Sequence, residues 1–174
     1  LGDLGEPETP KRLVEETVEK LGGIDILICN SSIQIRRPWL EITDEDMLSQ
    51  TRTNLFSTVK LMQSAVPHML ENRWGRIITI GSVQQDMPHP DMLIYSAIKC
   101  ATLNIVRSLA VQLADKNITV NNVPVGTIYT DRNTEVLKNE EYHEQVKNDI
   151  PMKYIGEPED CVAGVLLLSS DEGR

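Results

Sequence analysis

Tyr95 and Lys99 are the pair of residues in this sequence whose types and spacing best suit acid–base chemistry. They stand four positions apart in a segment with a helical pattern, so their side chains lie on one face of that helix. A phenol with an ordinary pKa of about 10 is a poor base at neutral pH, but a neighbouring ammonium stabilises its anion. The pair predicts a proton-transferring tyrosine activated by a lysine, although a solvent-facing helix pair has the same spacing.

Ser82 is a third residue that could take part in the same chemistry. It stands thirteen positions before Tyr95 and directly follows a predicted buried strand. Because parallel sheets place functional groups at the carboxyl ends of their strands, the Ser82 hydroxyl is suited to polarising a carbonyl oxygen. The competing interpretation is an ordinary turn residue that ends a strand.

The elements that must position these residues alternate between strands and helices. Short β-branched apolar runs predict strands over 24–29, 75–81 and 118–123. The nearly continuous run over 24–29 predicts a parallel strand that is covered on both faces. Helical patterns cover 10–21, 43–70, 92–114 and 160–168, whereas the polar and weakly helical segment 134–150 predicts a mobile surface region. Strands alternating with long helices predict an α/β fold with a doubly wound parallel sheet in three α/β/α layers.

Composition excludes several classes of function. The formal charge of −9 and a pI near 4.8, without a dense Lys/Arg cluster, argue against a nucleic-acid partner. The apolar stretches are short and interrupted by charge, which argues against a membrane span. Three widely spaced cysteines, Cys29, Cys100 and Cys161, form no Cys-x-x-Cys pair. They favour a reduced, cytoplasmic compartment and no metal site.

Four segments together carry a resemblance to a known family. They read IDILICNSS, GRIITIGS, YSAIK and ITVNNVPVG, and their combined spacing resembles the classical short-chain dehydrogenase/reductase family over essentially the whole length. The resemblance implies a Rossmann-type fold. It also implies an oxidoreductase that transfers a hydride between NAD or NADP and a carbonyl or secondary alcohol.

The resemblance also implies a role for each matching residue. Tyr95 would be the general acid/base, and Lys99 would lower its pKa and bind the nicotinamide ribose. Ser82 would orient the substrate oxygen. Asn54 would complete a tetrad by holding a water that relays protons, although an Asn within a helix can equally bond its own backbone or face solvent.

Cofactor contacts follow from the same resemblance, with departures from the family pattern. Residues 29–32 read Cys-Asn-Ser-Ser where the family has Asn-Asn-Ala-Gly, and Val125-Gly126 replaces the family's Pro-Gly. The implied cofactor-binding residues are Asp3, Asn30, Ser31, Ser32, Tyr95, Lys99, Gly126, Ile128 and Thr130. The segment that distinguishes NAD from NADP does not occur in these residues, so both remain possible.

Other family features are missing from the sequence. It contains no Gly-x-x-x-Gly-x-Gly loop, no first βαβ unit and no Val-Asp-Gly-Gly-like ending. Residues 1–174 are therefore expected to be a single Rossmann-type domain that lacks the first βαβ unit and the last strand. Since that loop normally supplies the N–H groups for the pyrophosphate, these residues alone are expected to bind a dinucleotide poorly.

The loops beside the predicted site bear on the substrate. One of the adjacent guanidiniums of Arg36 and Arg37 could hold a carboxylate, although a solvated loop pair is an equal alternative. Polar side chains near the site, which favour a hydroxylated, anionic ligand, include Gln84, Gln85, His89 and Arg36. Residues 33–38 and 84–85 resemble the gluconate 5-dehydrogenase-like branch, which implies a sugar acid or polyol. The alternatives are a 3-oxoacyl-thioester reductase and, from another class, a non-catalytic scaffold whose cofactor motifs have decayed.

The two long predicted helices bear on assembly. The segments 43–70 and 92–114 resemble the pair through which the family dimerises, and their apolar residues could serve either an interface or the core. The resemblance implies a homo-oligomer, either a dimer or a homotetramer.

Overall fold

A computed structural model describes residues 1–87 and 89–174, which form a parallel sheet flanked by helices. The strands are β1 (Ile26–Cys29), β2 (Gly75–Ile80) and β3 (Ile118–Val123). The helices are α1 (Thr9–Leu21), α2 (Asp44–Thr51), α3 (Ser57–Asn72), α4 (Leu93–Leu113), α5 (Asp131–Leu137), α6 (Glu140–Asp149) and α7 (Pro158–Ser169). The α/β class predicted from the alternating pattern is confirmed.

The sheet has the order β1-β2-β3, and both pairings are parallel. Ile28 pairs with Ile78, which in turn pairs with Asn121. Each connection between neighbouring strands contains helices, as a parallel pairing requires. All three strands therefore end at the same edge of the sheet.

One face of the sheet carries the hydrophobic core. Leu27 and Ile77 on the strands pack there against Val14 of α1, Met62 of α3 and Val106 of α4. The two crossover helices α3 and α4 thus lie on the same side of the sheet, together with α1. This layer fixes α4, which carries Tyr95 and Lys99, against β3.

The opposite face is covered by α7, which packs over β2 and β3. Arg76 of β2 is 1% exposed there, and its Nε donates to the Ser170 carbonyl at the end of α7. On β1, Ile26 and Ile28 are 43% and 46% exposed. The prediction that this strand is buried on both faces is therefore wrong in this structure, because α7 lies mainly over the other two strands.

The helical pattern over 43–70 forms one continuous helical stretch that contains an irregular turn. Thr43 begins it with a capping box in which its hydroxyl accepts from the Asp46 N–H and the Asp46 carboxylate accepts from the Thr43 N–H. A π-helical turn over Arg52–Phe56 joins α2 to α3. Such turns insert an extra residue and often occur at functional sites.

The polar segment 134–150, expected to be a weakly helical and mobile surface region, is occupied by α5 and α6, and all of its residues except Leu137 are at least partly exposed. Its surface position is confirmed, and its mobility stays a prediction.

The expectation that every apolar stretch is short and interrupted by charge is wrong for one helix. The stretch Leu93–Lys116 is long and apolar enough to cross a membrane by length and composition. Because α4 packs on β3 and contributes Val106 and Leu113 to the core, this stretch is explained as a core helix.

Candidate active site

A cleft of about 820 Å³ opens at the edge where the three strands end. Three chain segments, 28–36, 80–84 and 125–133, supply most of its walls, and Tyr95 and Lys99 line it from α4. The α7 residues Val162 and Leu166 form an apolar side. The cleft thus brings together the segments that follow all three strands.

Tyr95 and Lys99 lie in the first two turns of α4, which begins at Leu93. They are 6% and 7% exposed, and the Lys99 Nζ lies 5.5 Å from the centre of the Tyr95 ring. The Lys99 Nζ also donates to the Ile80 carbonyl at 2.7 Å. The predicted shared face is confirmed, and the ammonium is held beside the phenol.

Burial lowers the pKa of Lys99 to about 8, and the nearby positive charge of Arg132 contributes in the same direction. Cys29 also lies close to Lys99, but burial raises the pKa of its thiol to about 12. The thiol is therefore uncharged at neutral pH and gives Lys99 no counter-ion. The Lys99 ammonium is a desolvated cation that is available to an anionic partner in the cleft.

Ser82 follows β2 directly and its backbone is extended. Its Oγ accepts a hydrogen bond of 3.2 Å from the Gln84 N–H. Because a hydroxyl has two lone pairs and one hydrogen, this bond leaves the Ser82 O–H free to donate. The hydroxyl is thus oriented by its own loop and can donate to an oxygen in the cleft.

Asn54 lies within the π-helical turn and is 5% exposed. Its Oδ1 accepts from the Ile33 N–H at 2.8 Å, and its Nδ2 donates to the Ile33 carbonyl at 2.7 Å. The side chain thus fixes the loop after β1 and does not line the cleft. The Asn54 side chain therefore neither bonds its own backbone nor faces solvent.

The loops after β1 and β3 face each other across the cleft. Asn30, Ser31 and Ser32 line one wall, and the stretch from Gly126 to Thr130 lines the other. Arg132 connects the two walls, since its guanidinium donates to the carbonyl of Ser32 and, at 3.0 Å, to its hydroxyl. Sequence reasoning missed Arg132, although it stands only two positions after Thr130.

Arg36 and Gln84 also line the cleft. Arg36 donates to the Tyr142 hydroxyl at 2.9 Å, and its guanidinium lies 5.4 Å from the centre of that ring. Gln84 Oε1 is buried and accepts no hydrogen bond within residues 1–87 and 89–174. Arg37, by contrast, pairs with Asp46 at 2.7 Å, so only Arg36 of the two arginines lines the cleft.

Besides Asn54, two other predicted residues lie outside the lining. Asp3 is exposed, and its carboxylate accepts from the Gly5 N–H at 2.8 Å. His89 is partly buried, and burial together with the charge of Arg36 lowers its pKa. Within the described part of the chain, no group of three His, Cys, Asp or Glu side chains could hold a metal ion.

Comparison with known proteins agrees with this geometry. A family model described as enoyl-(acyl carrier protein) reductase matches residues 2–174. Glucose 1-dehydrogenase from Gluconobacter oxydans (strain 621H) is 36% identical over 172 residues, which are 98% of this chain and 65% of that protein. The chain thus spans just under two thirds of this curated relative.

Two solved structures superpose closely. The 3-oxoacyl (acyl-carrier-protein) reductase from Agrobacterium tumefaciens C58, solved with NADP bound, is 34% identical with a TM-score of 0.92, covering 98% of this chain and 67% of its own. A putative NAD(P)-dependent gluconate 5-dehydrogenase from Beutenbergia cavernae is 26% identical with a TM-score of 0.94, covering 99% of this chain and 69% of its own. The chain belongs to the short-chain dehydrogenase/reductase family and has its Rossmann-type fold.

Proposed function

We propose that the whole protein is an NAD(P)-dependent oxidoreductase that interconverts a secondary alcohol and a carbonyl. The observation that carries the proposal is the convergence of Ser82, Tyr95 and Lys99 at one cleft, on the edge where all three strands end. Membership of the family supports it, because the curated relative and the solved structures are named as dehydrogenases and reductases.

The proposed mechanism assigns each side chain a separate task. Tyr95 exchanges a proton with the substrate oxygen, and the Ser82 O–H donates a hydrogen bond to the same oxygen. The ammonium of Lys99 stabilises negative charge on the phenol. Asn54 acts through the loop after β1, which its side chain holds at Ile33.

The cleft offers contacts for part of a dinucleotide, and the proposed cofactor of the whole protein is NAD or NADP. When bound, it supplies or accepts the hydride. A Cβ built on Gly126 would meet nothing within 4 Å, so the backbone there is open to close approach. Lys99 and Arg132 provide cations inside a chain whose net charge is −9, which suits phosphate groups.

The predicted residues are proposed to contact different parts of the cofactor. Asn30, Ser31 and Ser32 would hold one side of it, and Gly126, Ile128 and Thr130 the other side. Lys99 and Tyr95 would hold the nicotinamide ribose, and the exposed Asp3 would lie near the adenine. The assignment of Asp3 rests on the resemblance alone, and each of the others rests on the resemblance together with position around the cleft.

The proposed substrate is a sugar acid or polyol. Arg36 would take a carboxylate, and its present partner, the Tyr142 hydroxyl, carries no neutralising charge. The unpartnered Oε1 of Gln84 is a buried acceptor suited to a substrate hydroxyl. His89 is close enough to Arg36 for its pKa to respond to that charge. The name gluconate 5-dehydrogenase of a similar structure supports this choice.

A 3-oxoacyl-thioester reductase is the second candidate. It is favoured by the 34% identity to a structure named as a 3-oxoacyl (acyl-carrier-protein) reductase. The apolar α7 side chains Val162 and Leu166, which line the cleft and are 49% and 64% exposed, suit an acyl chain.

Domain content, cellular location and assembly are also part of the proposed function. Residues 1–174 are proposed to form a single domain, and the whole protein is proposed to act in the cytoplasm as a homo-oligomer, a dimer or a tetramer. The partly exposed apolar side chains Met47, Leu48 and Phe56, on α2 and the π-helical turn, support a self-association surface.

The deciding experiment measures turnover by the full-length protein. Gluconate, glucose, other polyols and a 3-oxoacyl thioester are each tested with NAD(H) and NADP(H), beside a Tyr95→Phe variant that keeps the ring and removes the hydroxyl. We expect turnover of a polyol or sugar acid that the variant lacks while it still binds cofactor. Turnover of the thioester alone would select the second candidate, and absence of any cofactor binding would favour a non-catalytic scaffold.

A further inference from the structure

We infer that Gln85 is a positioning residue whose side-chain amide fixes the end of β2, at Ser82, to the main chain of α4, at Lys99. The inference rests on the proposed function, because it concerns the relative placement of two residues assigned to that chemistry. Gln85 does not line the cleft and would act only through its neighbours.

The contacts of Gln85 reach both sides of the site. Its Oε1 accepts from the Ser82 N–H at 3.1 Å and from Asn122 Nδ2 at 3.1 Å. Its Nε2 donates to the main-chain carbonyl of Lys99 at 3.0 Å. One carboxamide therefore connects the strand end, the neighbouring strand β3 and the helix that carries the proton-transferring pair.

The orientation of this amide is fixed by its partners. The Ser82 N–H can only donate and the Lys99 carbonyl can only accept, so the oxygen must face Ser82 and the nitrogen must face Lys99. Asn122 Nδ2 donates to the same Gln85 oxygen, which can only accept, so the Asn122 Oδ1 faces the Thr79 hydroxyl and accepts from it at 2.9 Å. The reverse orientation of Gln85 would place like groups against each other at both ends.

The amide group also fits tightly against the strand end. A Cβ on Gly81 would lie 2.5 Å from Gln85 Oε1 and 2.6 Å from Asn122 Nδ2. A side chain at position 81 would displace the ends of both amide side chains, so Gly81 is what allows them to lie this close to the backbone.

The arrangement holds Lys99 at two points. Gln85 holds its main-chain carbonyl, while its Nζ donates to the carbonyl of Ile80, two residues before Ser82. Both anchors lie at the end of β2. Tyr95 is one helical turn before Lys99, so its position relative to Ser82 depends on the same anchors.

Gln85→Met tests the inference, because it keeps length and removes all three hydrogen bonds. Gln85→Glu keeps the acceptor for Ser82 but places an oxygen against the Lys99 carbonyl. Gln112→Met is the matched control, since Gln112 lies at the far end of α4, is exposed and bonds only within that helix, to Ser108. All three variants are made in the full-length protein.

Two measurements need no substrate. Hydrogen exchange at the Ser82 amide is expected to quicken by roughly tenfold in Gln85→Met, and to stay slow in Gln85→Glu and in the control. The pKa of Lys99, about 8 through burial, is followed by isotope-edited NMR. It is expected to rise toward its ordinary value in Gln85→Met, because a loosened α4 lets water reach the ammonium.

A third measurement uses turnover. We expect kcat to fall by roughly tenfold in Gln85→Met and in Gln85→Glu, with KM changed much less and with the pH profile of kcat displaced. A merely structural Gln85 would lower thermal stability and leave the KM, kcat and pH profile of the folded enzyme unchanged.

The outcomes separate the two claims. If the wild-type protein turns over no carbonyl or alcohol substrate, the proposed function fails, while the exchange and titration data still decide the role of Gln85. If Gln85→Met leaves both the Ser82 exchange rate and the Lys99 pKa at the wild-type values, the inference is overturned whatever the turnover. If Gln85→Met does not fold, unchanged kcat and pH profile in Gln85→Glu would overturn it.

Discussion

The ammonium of Lys99 donates a 2.7 Å hydrogen bond to the carbonyl of Ile80, the last residue of β2. This bond connects the helix that carries Tyr95 to the strand that leads into Ser82. It satisfies one of the three N–H groups of the ammonium and brings no negative charge, so the desolvation of Lys99 is left largely uncompensated. The site therefore keeps a cation at a cost in stability, as functional sites often do.

We predict that Lys99→Met stabilises the fold at pH 7. The folded pKa of Lys99 is about 8, against an ordinary value of 10.5. The unfolded chain therefore binds the proton more tightly than the folded chain. Below pH 8, folding carries the full free-energy cost of burying the Lys99 ammonium. At about 1.4 kcal/mol per pKa unit this is roughly 3 kcal/mol, reduced to about 2 kcal/mol because the Ile80 carbonyl loses its partner.

The pH dependence checks the cause. Wild-type unfolding free energy should rise relative to that of the variant between pH 8 and pH 10.5, where the unfolded state holds more protons than the folded state. Denaturant unfolding of both proteins at several pH values measures this difference. A variant that is less stable than wild type at pH 7 would contradict a desolvated Lys99.

We predict that Asn54→Ala lowers both stability and turnover. The Asn54 amide exchanges two hydrogen bonds with the backbone of Ile33, and its loss leaves both groups unpaired. We expect the free energy of unfolding to fall by about 2 kcal/mol. Turnover should fall by roughly 10- to 100-fold, because the loop after β1 loses its anchor.

Asn72→Ala is the matched control for this experiment. Asn72 ends α3, is exposed, and donates to the exposed carboxylate of Asp25. Its removal should change stability by less than about 0.5 kcal/mol. Equal losses from the two substitutions would show that the π-helical turn places no special demand on Asn54.

Sequence patterns predicted the elements that bury apolar residues with a clear period. The strand over 118–123 and the helix over 92–114 agree with β3 and with α4 to within one residue. The helical pattern over 43–70 could not show the π-helical turn, because a single inserted residue barely changes the spacing of apolar positions. β1 is buried on one face and exposed on the other. That difference depends on which helices pack against the strand, and a local sequence pattern carries no information about them.

The candidate site was predicted where residues share one element or follow one strand. Tyr95 and Lys99 are four apart on α4, so helical geometry alone places them together. Arg132 and Tyr142 were missed because α5 and α6 are polar and weakly periodic, and their partners are distant in the chain. These contacts join residues about 100 positions apart, and a local sequence pattern cannot predict contacts at that separation.

We predict that Arg132→Gln weakens binding of NAD(P)H by roughly tenfold and reduces its sensitivity to salt. Arg132 connects the two walls of the cleft through Ser32 and lies close enough to Lys99 to lower its pKa. A bound phosphate would offer the guanidinium a charged partner that Ser32 cannot. Titration of nicotinamide fluorescence at several ionic strengths measures both effects.

The control for Arg132 is Arg107→Gln, which makes the same charge change at an exposed position on α4 away from the cleft. It should leave cofactor affinity within about twofold of wild type, because solvent and salt screen a distant charge. An equal loss of cofactor affinity in both variants would mean that the net charge of the protein governs cofactor binding. Arg132 would then make no specific contact with the cofactor.

We predict that Arg36→Met raises KM for an anionic sugar acid by roughly tenfold or more and leaves KM for a neutral polyol nearly unchanged. Arg36 lines the cleft beside the uncharged Tyr142 hydroxyl, so its charge is available to a carboxylate. Arg37→Met removes the same charge one position along, where the guanidinium pairs with Asp46. That control should lower stability slightly and leave the ratio of the two KM values as in wild type. Parallel kinetics with gluconate and a matched neutral polyol measure the ratio, and a uniform change for both substrates in Arg36→Met would place the carboxylate site elsewhere.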